Sequence, residues 1–270
     1  HYQDKPKQED KIVFCLSGSV WDVVVNVEES DQEYLNWSAT VMDSKDGNGI
    51  FIPKGYAHGF QSLEPNTTLI YFHSEDYDFK GNWSTIFNNK NPLILELGCG
   101  AGEYTIALAK DYPNKNFVGV DIKGARIWKG AKIALEEGLK NVRFLRTKVD
   151  FITKFFDKNE VNEIWLTFSD PQPKKPKKRL SSKLFTDRYQ EFLKINGVIH
   201  LKTDSDLLYD FTLEEIKLNN FKLLKNISNI YKESFDNSQE LKKTLFIKTF
   251  YEKKWLDLDK TIKYLAFNIH

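Results

Sequence analysis

Hydrophobic and polar positions follow two different patterns along the chain, and the change falls near residue 78. Before it, short runs rich in valine, isoleucine and phenylalanine alternate with turn residues, at 11–16, 20–27, 49–53 and 67–72. Short runs of this kind, separated by turn dipeptides such as Ser-Gly, are typical of β-hairpins. This part of the chain is therefore predicted to be all-β, with no helix.

After residue 78, apolar runs of strand length alternate with stretches of helical period. Strands are predicted at 93–97, 116–121, 142–147, 163–168 and 198–202, helices at 101–111, 124–138, 182–194 and 205–219, and further strands at 244–252 and 260–269. Such alternation favours a doubly wound, mostly parallel sheet that helices cover on both faces. In sheets of this kind, ligands bind at the carboxyl ends of the strands.

Charge divides the chain at the same place. Residues 1–78 hold 5 lysines and 14 acidic residues, a net charge of −9, whereas the remainder holds 34 basic and 24 acidic residues, a net charge of +10. We therefore predict two units, 1–78 and 79–270, and favour a polyanion as the partner of the second. No apolar run approaches eighteen residues, so no membrane span is expected. Cys15 and Cys99 are too few for a disulfide framework, which favours a reducing cytoplasm.

Three glycines at alternate positions, Gly98, Gly100 and Gly102, follow the first apolar strand of the second unit. Glycine lets the backbone approach a ligand where a Cβ would clash, so a strand, a glycine turn and a helix start form a nucleotide cradle. Asp121 ends the next strand, where it can accept hydrogen bonds from two ribose hydroxyls. The third glycine comes one residue early for a dinucleotide fingerprint, and Glu96 stands two residues before the first. A carboxylate there suits a cofactor with a cationic amine, although a purely structural acid is the alternative.

The sequence at this turn, Leu-Glu-Leu-Gly-Cys-Gly-Ala-Gly, resembles motif I of S-adenosylmethionine-dependent methyltransferases. Four motifs follow in order: Gly-Val-Asp-Ile-Lys-Gly-Ala-Arg at 119–126, Glu-Ile-Trp-Leu-Thr-Phe-Ser-Asp-Pro at 163–171, Leu-Lys-Thr-Asp at 201–204 and Thr-Phe-Tyr-Glu at 249–252. Together they resemble the tRNA (guanine-N7)-methyltransferases over nearly all of residues 80–270. The resemblance implies a Rossmann-like methyltransferase sheet, S-adenosylmethionine as cofactor and a variable-loop guanine of tRNA as substrate.

The resemblance also implies roles for individual residues. Glu96 and Asp121, together with the three glycines, would bind S-adenosylmethionine, and Asp170 would lie at the reaction centre. Substrate contacts would come from Lys174, Asp204, Thr249, Phe250, Tyr251 and Glu252. The chain departs from the family pattern at two positions: Ser169 replaces the usual proline, and Lys148 stands near where many members carry a further cofactor-contacting acid.

The chemistry of the implied reaction agrees with these residue types. Guanine N7 carries an unprotonated lone pair at neutral pH, so rate comes mostly from alignment of the reacting atoms. A fixed carboxylate such as Asp170 can hold the guanine through its N–H edge and stabilise the positive charge that methylation creates. Residues 174–179 hold five cations, and beside a nucleotide site this favours phosphate binding over a merely solvated loop. Arg126, Lys129 and Lys132 form a second basic stripe, for which RNA contact and a solvated helix face are equal alternatives.

The first unit resembles a different family, the dTDP-4-dehydrorhamnose 3,5-epimerases, which are cupin barrels. The match lies in His-Tyr-Gln at 1–3, in Lys-Ile-Val at 11–13 and in Phe-Ile-Pro-Lys-Gly-Tyr-Ala-His-Gly-Phe at 51–60. The resemblance implies that the general base is His1, the enolate-stabilising cation Lys11, a second site histidine His58 and the proton donor Tyr77. The family's first strands and its C-terminal third have no counterpart, however, so a β segment without activity is favoured.

We therefore predict an α/β protein whose Rossmann-like methyltransferase domain follows an all-β partial cupin segment. It is expected to act on tRNA in the cytoplasm, as a monomer or homodimer, with no metal and no membrane contact. Trp165, Phe168 and His200 are predicted to be packed strand residues. Two alternatives stay open: a nucleotide-sugar 3,5-epimerase that borrows strands from another chain, and an RNA-binding α/β module without turnover.

Overall fold

The computed structural model describes residues 8–73, 79–232 and 239–270. Two compact units make up the chain, one ending at Tyr77 and the other beginning at Asp78. His1 and Tyr77, which the epimerase resemblance implicates, lie outside the described residues.

The first unit consists of two three-stranded antiparallel sheets, in the strand orders β4-β1-β6 and β3-β2-β5. Side chains alternate along β1, so that Val13 and Cys15 point inward with Val20, Met42 and Ile52 to form a small apolar core. The prediction of an all-β unit is therefore confirmed for the described residues. The strands are β1 Lys11–Ser17, β2 Ser19–Asn26, β3 Trp37–Asp43, β4 Gly49–Ile52, β5 Tyr56–Ser62 and β6 Thr68–His73.

The second unit is built on a seven-stranded sheet in the order β12-β13-β11-β10-β7-β8-β9. The five strands from β11 to β9 run parallel, and β13 pairs antiparallel with both β11 and β12. Every residue of β7 and β8 is buried, as expected for strands covered on both faces. The strands are β7 Leu93–Leu97, β8 Asn116–Asp121, β9 Val142–Arg146, β10 Val161–Thr167, β11 Leu193–Thr203, β12 Lys222–Ile227 and β13 Lys263–Asn268.

Within the described residues, the α-helices that connect and cover these strands are α1 Trp83–Phe87, α2 Glu103–Asp111, α3 Gly124–Glu136, α4 Lys183–Gln190, α5 Asp206–Leu218, α6 Gln239–Leu245 and α7 Phe250–Leu256. The strand predicted at 244–252 is wrong, because α6 ends and α7 begins there. Thr249 caps α7, its hydroxyl accepting a hydrogen bond from the Glu252 backbone N–H, and this starts a helix where apolar alternation favoured a strand. The helix predicted at 182–194 ends at Gln190, and its last two residues belong to β11.

The order in which successive strands are added to the sheet reverses between the parallel neighbours β7 and β10. From β7 the chain steps outward through β8 to β9, whereas from β10 it steps the other way to β11. The connections that leave the carboxyl ends of these two strands therefore run in opposite directions and leave a crevice between them, the position at which open α/β sheets bind ligands.

Phe144 on β9 packs against three glycines from three different elements. A Cβ at Gly102, Gly119 or Gly130 would lie 2.5, 2.7 or 2.6 Å from the ring of Phe144. A real Cβ does not approach a ring atom this closely, so the ring occupies the space that these side chains would need. Phe144 thereby joins the start of α2, the strand β8 and the helix α3.

Candidate active site

A cleft of about 1370 Å³ lies along the carboxyl ends of the parallel strands of the second unit. Five of the residues predicted for the site line it: Gly98, Asp121, Asp170, Asp204 and Tyr251. The other predicted site residues lie outside this lining: Glu96, Gly100, Gly102, Lys174, Thr249, Phe250 and Glu252. The topology of the sheet thus brings segments far apart in sequence to one cleft.

Gly98 and Gly100 form the turn that follows β7, with φ angles of +80° and +57°. The turn is fixed from below: the Gly98 N–H donates to the Val120 carbonyl oxygen at 2.8 Å, and the Gly100 N–H donates to Asp121 Oδ2 at 3.0 Å. A Cβ at Gly100 would meet nothing within 4 Å, and one at Gly98 only Leu180 Cδ1 at 3.9 Å. These two glycines therefore combine left-handed backbone with open space beside it, as a cradle for a ligand requires.

Gly102 differs from the other two glycines of the turn. Its φ angle is +74°, and a side chain there would also collide with the ring of Phe144 at 2.5 Å. Gly102 thus serves close packing between α2 and its neighbours.

Asp121, at the end of β8, is fixed by one hydrogen bond to each of its carboxylate oxygens. Oδ2 accepts from the Gly100 N–H, and Oδ1 accepts from the Lys123 N–H at 2.8 Å. The side chain is buried, yet it contributes to the cleft lining. Its geometry is therefore fixed before any ligand arrives.

Glu96 is buried below the glycine turn. Its Oε2 accepts hydrogen bonds from the Thr105 N–H at 2.9 Å and from the Thr105 hydroxyl. Burial raises the pKa of this carboxyl to about 7, against the lowering effect of the Thr105 hydrogen bonds. In these contacts Glu96 caps the first turn of α2.

The loop after β10 carries Ser169 and Asp170. Asp170 is exposed, and its Oδ1 accepts from the Gln172 N–H at 2.9 Å. The buried Arg179 donates through Nε to the Pro171 carbonyl oxygen at 2.8 Å, which anchors the loop from beneath. The Ser169 hydroxyl is buried against the cleft, and among the described residues it has no hydrogen-bond partner.

The basic run at 174–179 separates into two groups. Arg179 is buried, and Lys178 pairs with Asp150 at 3.0 Å, so both have structural partners. Lys174, Lys175 and Lys177 are exposed, and none of them has an acidic partner within the described parts of the chain. The phosphate-binding interpretation therefore rests on three lysines rather than on five cations.

The segment 249–252 begins α7 and contributes both buried and exposed residues. Glu252 is fully buried: Lys202 Nζ lies 2.7 Å from its Oε2, and the Tyr231 hydroxyl donates to its Oε1 at 2.7 Å. Burial lowers the pKa of Lys202 to about 8, although the Glu252 carboxylate opposes this shift. Phe250 and Tyr251, by contrast, are exposed. Glu252 therefore fixes α7 to β11, while Tyr251 reaches the cleft.

Sequence reasoning missed two further residues of this rim, Trp255 and Lys260. Trp255 lies one helical turn after Tyr251, and both line the cleft. Lys260 Nζ lies 3.9 Å from the centroid of the Trp255 ring and 2.9 Å from Asp204 Oδ2. The spacing of four between the two aromatic residues was the available signal, and the strand prediction for 244–252 concealed it.

The remaining candidates are packed or surface residues. His200 is buried between Trp165, on which it stacks with 4.1 Å between ring centroids, and the Tyr264 hydroxyl, 2.8 Å from its Nδ1. On α3, Arg126 lines the cleft, while Lys132 is exposed and pairs with Glu136 at 3.7 Å. For this basic stripe, RNA contact and a solvated helix face both remain alternatives.

In the first unit, two of the residues that the epimerase resemblance implicates are buried beside carboxylates. His58 Nε2 lies 2.6 Å from Asp22 Oδ2, and Lys11 Nζ lies 3.3 Å from Glu9 Oε1. Among the residues with described positions, no group of three His, Cys, Asp or Glu side chains is arranged to hold a metal ion. Nor does any helix within those ranges have the length and apolar character to cross a membrane.

Comparison with known proteins relates the first unit to an epimerase. Residues 1–111 match the family model of dTDP-4-dehydrorhamnose 3,5-epimerase. The crystal structure of that enzyme from Bacillus anthracis is 29% identical, with a TM-score of 0.28; the match covers 28% of this chain and 43% of the epimerase. The chain thus spans less than half the length of that enzyme, and its first unit is a partial epimerase-like segment.

The second unit matches methyltransferases. Residues 90–265 match the family model described as "Putative methyltransferase". The tRNA (guanine-N(7)-)-methyltransferase of Bacteroides fragilis is 50% identical over 192 residues, 71% of this chain and 74% of the relative. That of Christiangramia forsetii is 47% identical over 196 residues, 72% of this chain and 86% of the relative. The chain therefore belongs to the tRNA (guanine-N(7)-)-methyltransferase family.

Proposed function

We propose that this chain transfers a methyl group from S-adenosylmethionine to N7 of a variable-loop guanine in tRNA. The observation that carries the proposal is the meeting of the glycine turn, Asp121 and Asp170 in one cleft, in a chain of this family. A nucleoside cradle and a carboxylate suited to a developing cation are the two parts that the reaction needs.

Several features of the cleft fit the cofactor. Gly98 and Gly100 leave open space beside left-handed backbone, Asp121 is fixed as an acceptor for ribose hydroxyls, and the Ser169 hydroxyl lacks a partner among the described residues. These residues would hold S-adenosylmethionine, and Glu96, with a pKa of about 7, would add a partial negative charge beneath the turn at neutral pH. When bound, the cofactor supplies a methyl group activated by its attachment to a sulfonium.

The chain's own contribution to the reaction is alignment and charge. Guanine N7 needs no deprotonation, so the protein's task is to hold the base in line with the methyl group. It must also keep water away from the place that N7 occupies. Asp170, oriented by the Gln172 N–H, would accept from the N–H edge of guanine and stabilise the positive charge of the methylated ring.

The proposed substrate also accounts for the free cations near the cleft. Lys174, Lys175 and Lys177 can contact RNA phosphates, since none has an acidic partner in the described structure. A tRNA substrate would place the reaction in the cytoplasm. Whether the protein acts as a monomer or a homodimer stays a prediction, which light scattering can test.

A labelled-methyl assay tests the proposal. The protein is incubated with tritiated S-adenosylmethionine and unmodified tRNA, and the product is cleaved chemically at N7-methylated guanine. We expect label at one variable-loop guanine, and no label in a control tRNA that already carries the modification. Binding of tRNA without incorporation would favour the RNA-binding module instead, and label at another position would contradict the proposal.

A further inference from the structure

An aromatic face on the rim of the cleft is covered by a lysine in this structure. Trp255 is partly buried on α7 and lines the cleft together with Tyr251. The Lys260 ammonium lies 3.9 Å from the centre of the indole ring and is paired with Asp204 at 2.9 Å. A positive charge thus sits between an aromatic face and a carboxylate.

The position of Lys260 is set by the backbone. The chain turns sharply after α7, and the Lys260 N–H donates to the carbonyl oxygen of Trp255 at 3.0 Å. This hydrogen bond holds Lys260 close to the ring, so the contact follows from the turn as well as from the lysine rotamer. Lys260 also remains partly exposed to solvent, so its ammonium can leave the ring without disturbing the core.

An indole face opposite a carboxylate is chemically suited to a planar ring that carries or develops positive charge. Aromatic side chains stack on nucleobases of any sequence, and the electron-rich face of tryptophan attracts cations most strongly among the aromatic residues. Guanine methylated at N7 is both planar and cationic. The ammonium of Lys260 therefore occupies the place that such a ring would take.

We propose that Trp255 is the surface on which the target guanine stacks, and that Lys260 covers this surface until the RNA base displaces it. The inference rests on the proposed function, which supplies the guanine. Displacement moves the ammonium away from the ring and frees the Asp204 carboxylate. Trp255 is thus a base-binding residue, and Lys260 is a positioning residue.

Fluorescence titration with 7-methylguanosine tests the stacking without requiring catalysis. We expect saturable quenching in the wild type and in Trp37→Leu, which removes an exposed indole from β3 of the first unit. Trp255→Leu should lose the quenching. Lys260→Met should bind the cationic nucleoside about three- to tenfold more tightly, because the nearer of two ammonium groups has gone from the ring. The other, Lys254 Nζ, stays 5.5 Å from the ring centroid in both proteins. Equal quenching in Trp255→Leu and the wild type would overturn the proposal.

Steady-state kinetics with tRNA provide a second test of the stacking proposal. Trp255→Leu should lower kcat/KM by about ten- to a hundredfold, with Trp255→Phe in between, while the affinity for S-adenosylmethionine stays within twofold. Thermal melting of both variants checks that α7 still packs. A wild-type protein that transfers no methyl group would refute the proposed function, but the titration would still decide on Trp255. Full kcat/KM in Trp255→Leu, in an active wild type, would refute the stacking role alone.

Discussion

At Glu96, the hydrogen bonds that stabilise the carboxylate are opposed by the cost of burying its charge. The side chain is fully buried, and its hydrogen bonds to Thr105 do not outweigh its loss of hydration, so its pKa rises to about 7. Because the folded state binds this proton more tightly than the unfolded chain does, the associated stabilisation is complete below pH 4.5. It is then lost as the pH rises through about 7.

Replacing Glu96 with glutamine should therefore stabilise the protein at high pH. Glutamine keeps an oxygen for the Thr105 N–H but carries no charge, so at pH 8 we expect a gain on the order of 2 kcal/mol in the free energy of unfolding. Urea unfolding between pH 4.5 and 8 measures this, with Glu136→Gln, an exposed glutamate on α3, as the control. If the free energy of unfolding falls equally with rising pH in Glu96→Gln and in the wild type, the raised pKa of Glu96 is not the cause of the pH dependence.

Asp170 carries the proposed stabilisation of the methylated ring. Asp170→Asn keeps an oxygen for the Gln172 N–H but removes the negative charge, so we expect kcat to fall about a hundredfold or more. The affinity for S-adenosylmethionine, measured by equilibrium dialysis, should stay within twofold. Asp187→Asn, which changes an exposed acid on α4, is the matched control. Full turnover in Asp170→Asn would refute the role.

The sequence predicts residues better when their role is local. The glycine turn and Asp121 could be predicted, because a strand followed by glycines and a second strand ending in an acid is a short-range pattern. Three other features could not be predicted, because each depends on side chains from segments distant in sequence. They are the burial of Glu96, the packing role of Gly102 and the burial of Arg179.

At the scale of elements, the loop after β10 carries the basic run at 174–179, which holds five cations in six residues. Its three lysines without acidic partners, Lys174, Lys175 and Lys177, should each release about one counterion on binding a phosphate. Replacing all three with alanine should reduce the slope of log Kobs against log salt by about 2 for tRNA binding. Filter binding at several salt concentrations gives the slope.

The control for this loop is a second triple variant. Lys140, Lys158 and Lys222 are exposed and lie on other segments of the second unit, away from the run at 174–179, so their replacement with alanine should leave the slope nearly unchanged. The same reduction in both variants would mean that the lysines act only through net charge.

The segment to which the sequence analysis gave the wrong type of secondary structure lies near the C-terminus. The segment 244–252 alternates as a strand does, yet the Thr249 cap and the buried pair of Lys202 with Glu252 hold it as helix. A partner on another strand, fifty residues earlier, cannot be read from local alternation. The sequence predicted the class of the sheet but not its full strand order, because the antiparallel strands β12 and β13 join it through contacts of long sequence separation.

At the scale of the molecule, each unit has a core made from its own residues. The two larger clusters draw only on residues after 78, and the small cluster of the first unit only on residues before it. A chain of residues 79–270 should therefore fold and transfer methyl groups with kcat/KM within about threefold of the full chain. It should also bind tRNA more tightly at low salt, because a net charge of −9 has been removed.

Circular dichroism, thermal melting and the labelled-methyl assay check this prediction on the shortened chain. An unfolded or inactive product would show that the first unit is required for the second to fold. Folding with unchanged RNA affinity would show instead that the acidic unit exerts no long-range repulsion.

Phe144 has a consequence for how this protein can vary over evolutionary time. Its ring fills the space beside Gly102, Gly119 and Gly130, so a methyl group added at any of the three requires a smaller side chain at position 144. At Gly119 and Gly130 the obstacle is mainly steric, whereas Gly102 also needs its left-handed backbone. The four positions therefore form an epistatic group, in which Gly130 is the most constrained, because a Cβ there would also lie 2.7 Å from the backbone carbonyl oxygen of Ala101. At Gly119 the other neighbour is the side-chain atom Cys99 Sγ at 3.0 Å, so alanine at 119 should be tolerated better once leucine stands at 144, and relatives should show these two changes together.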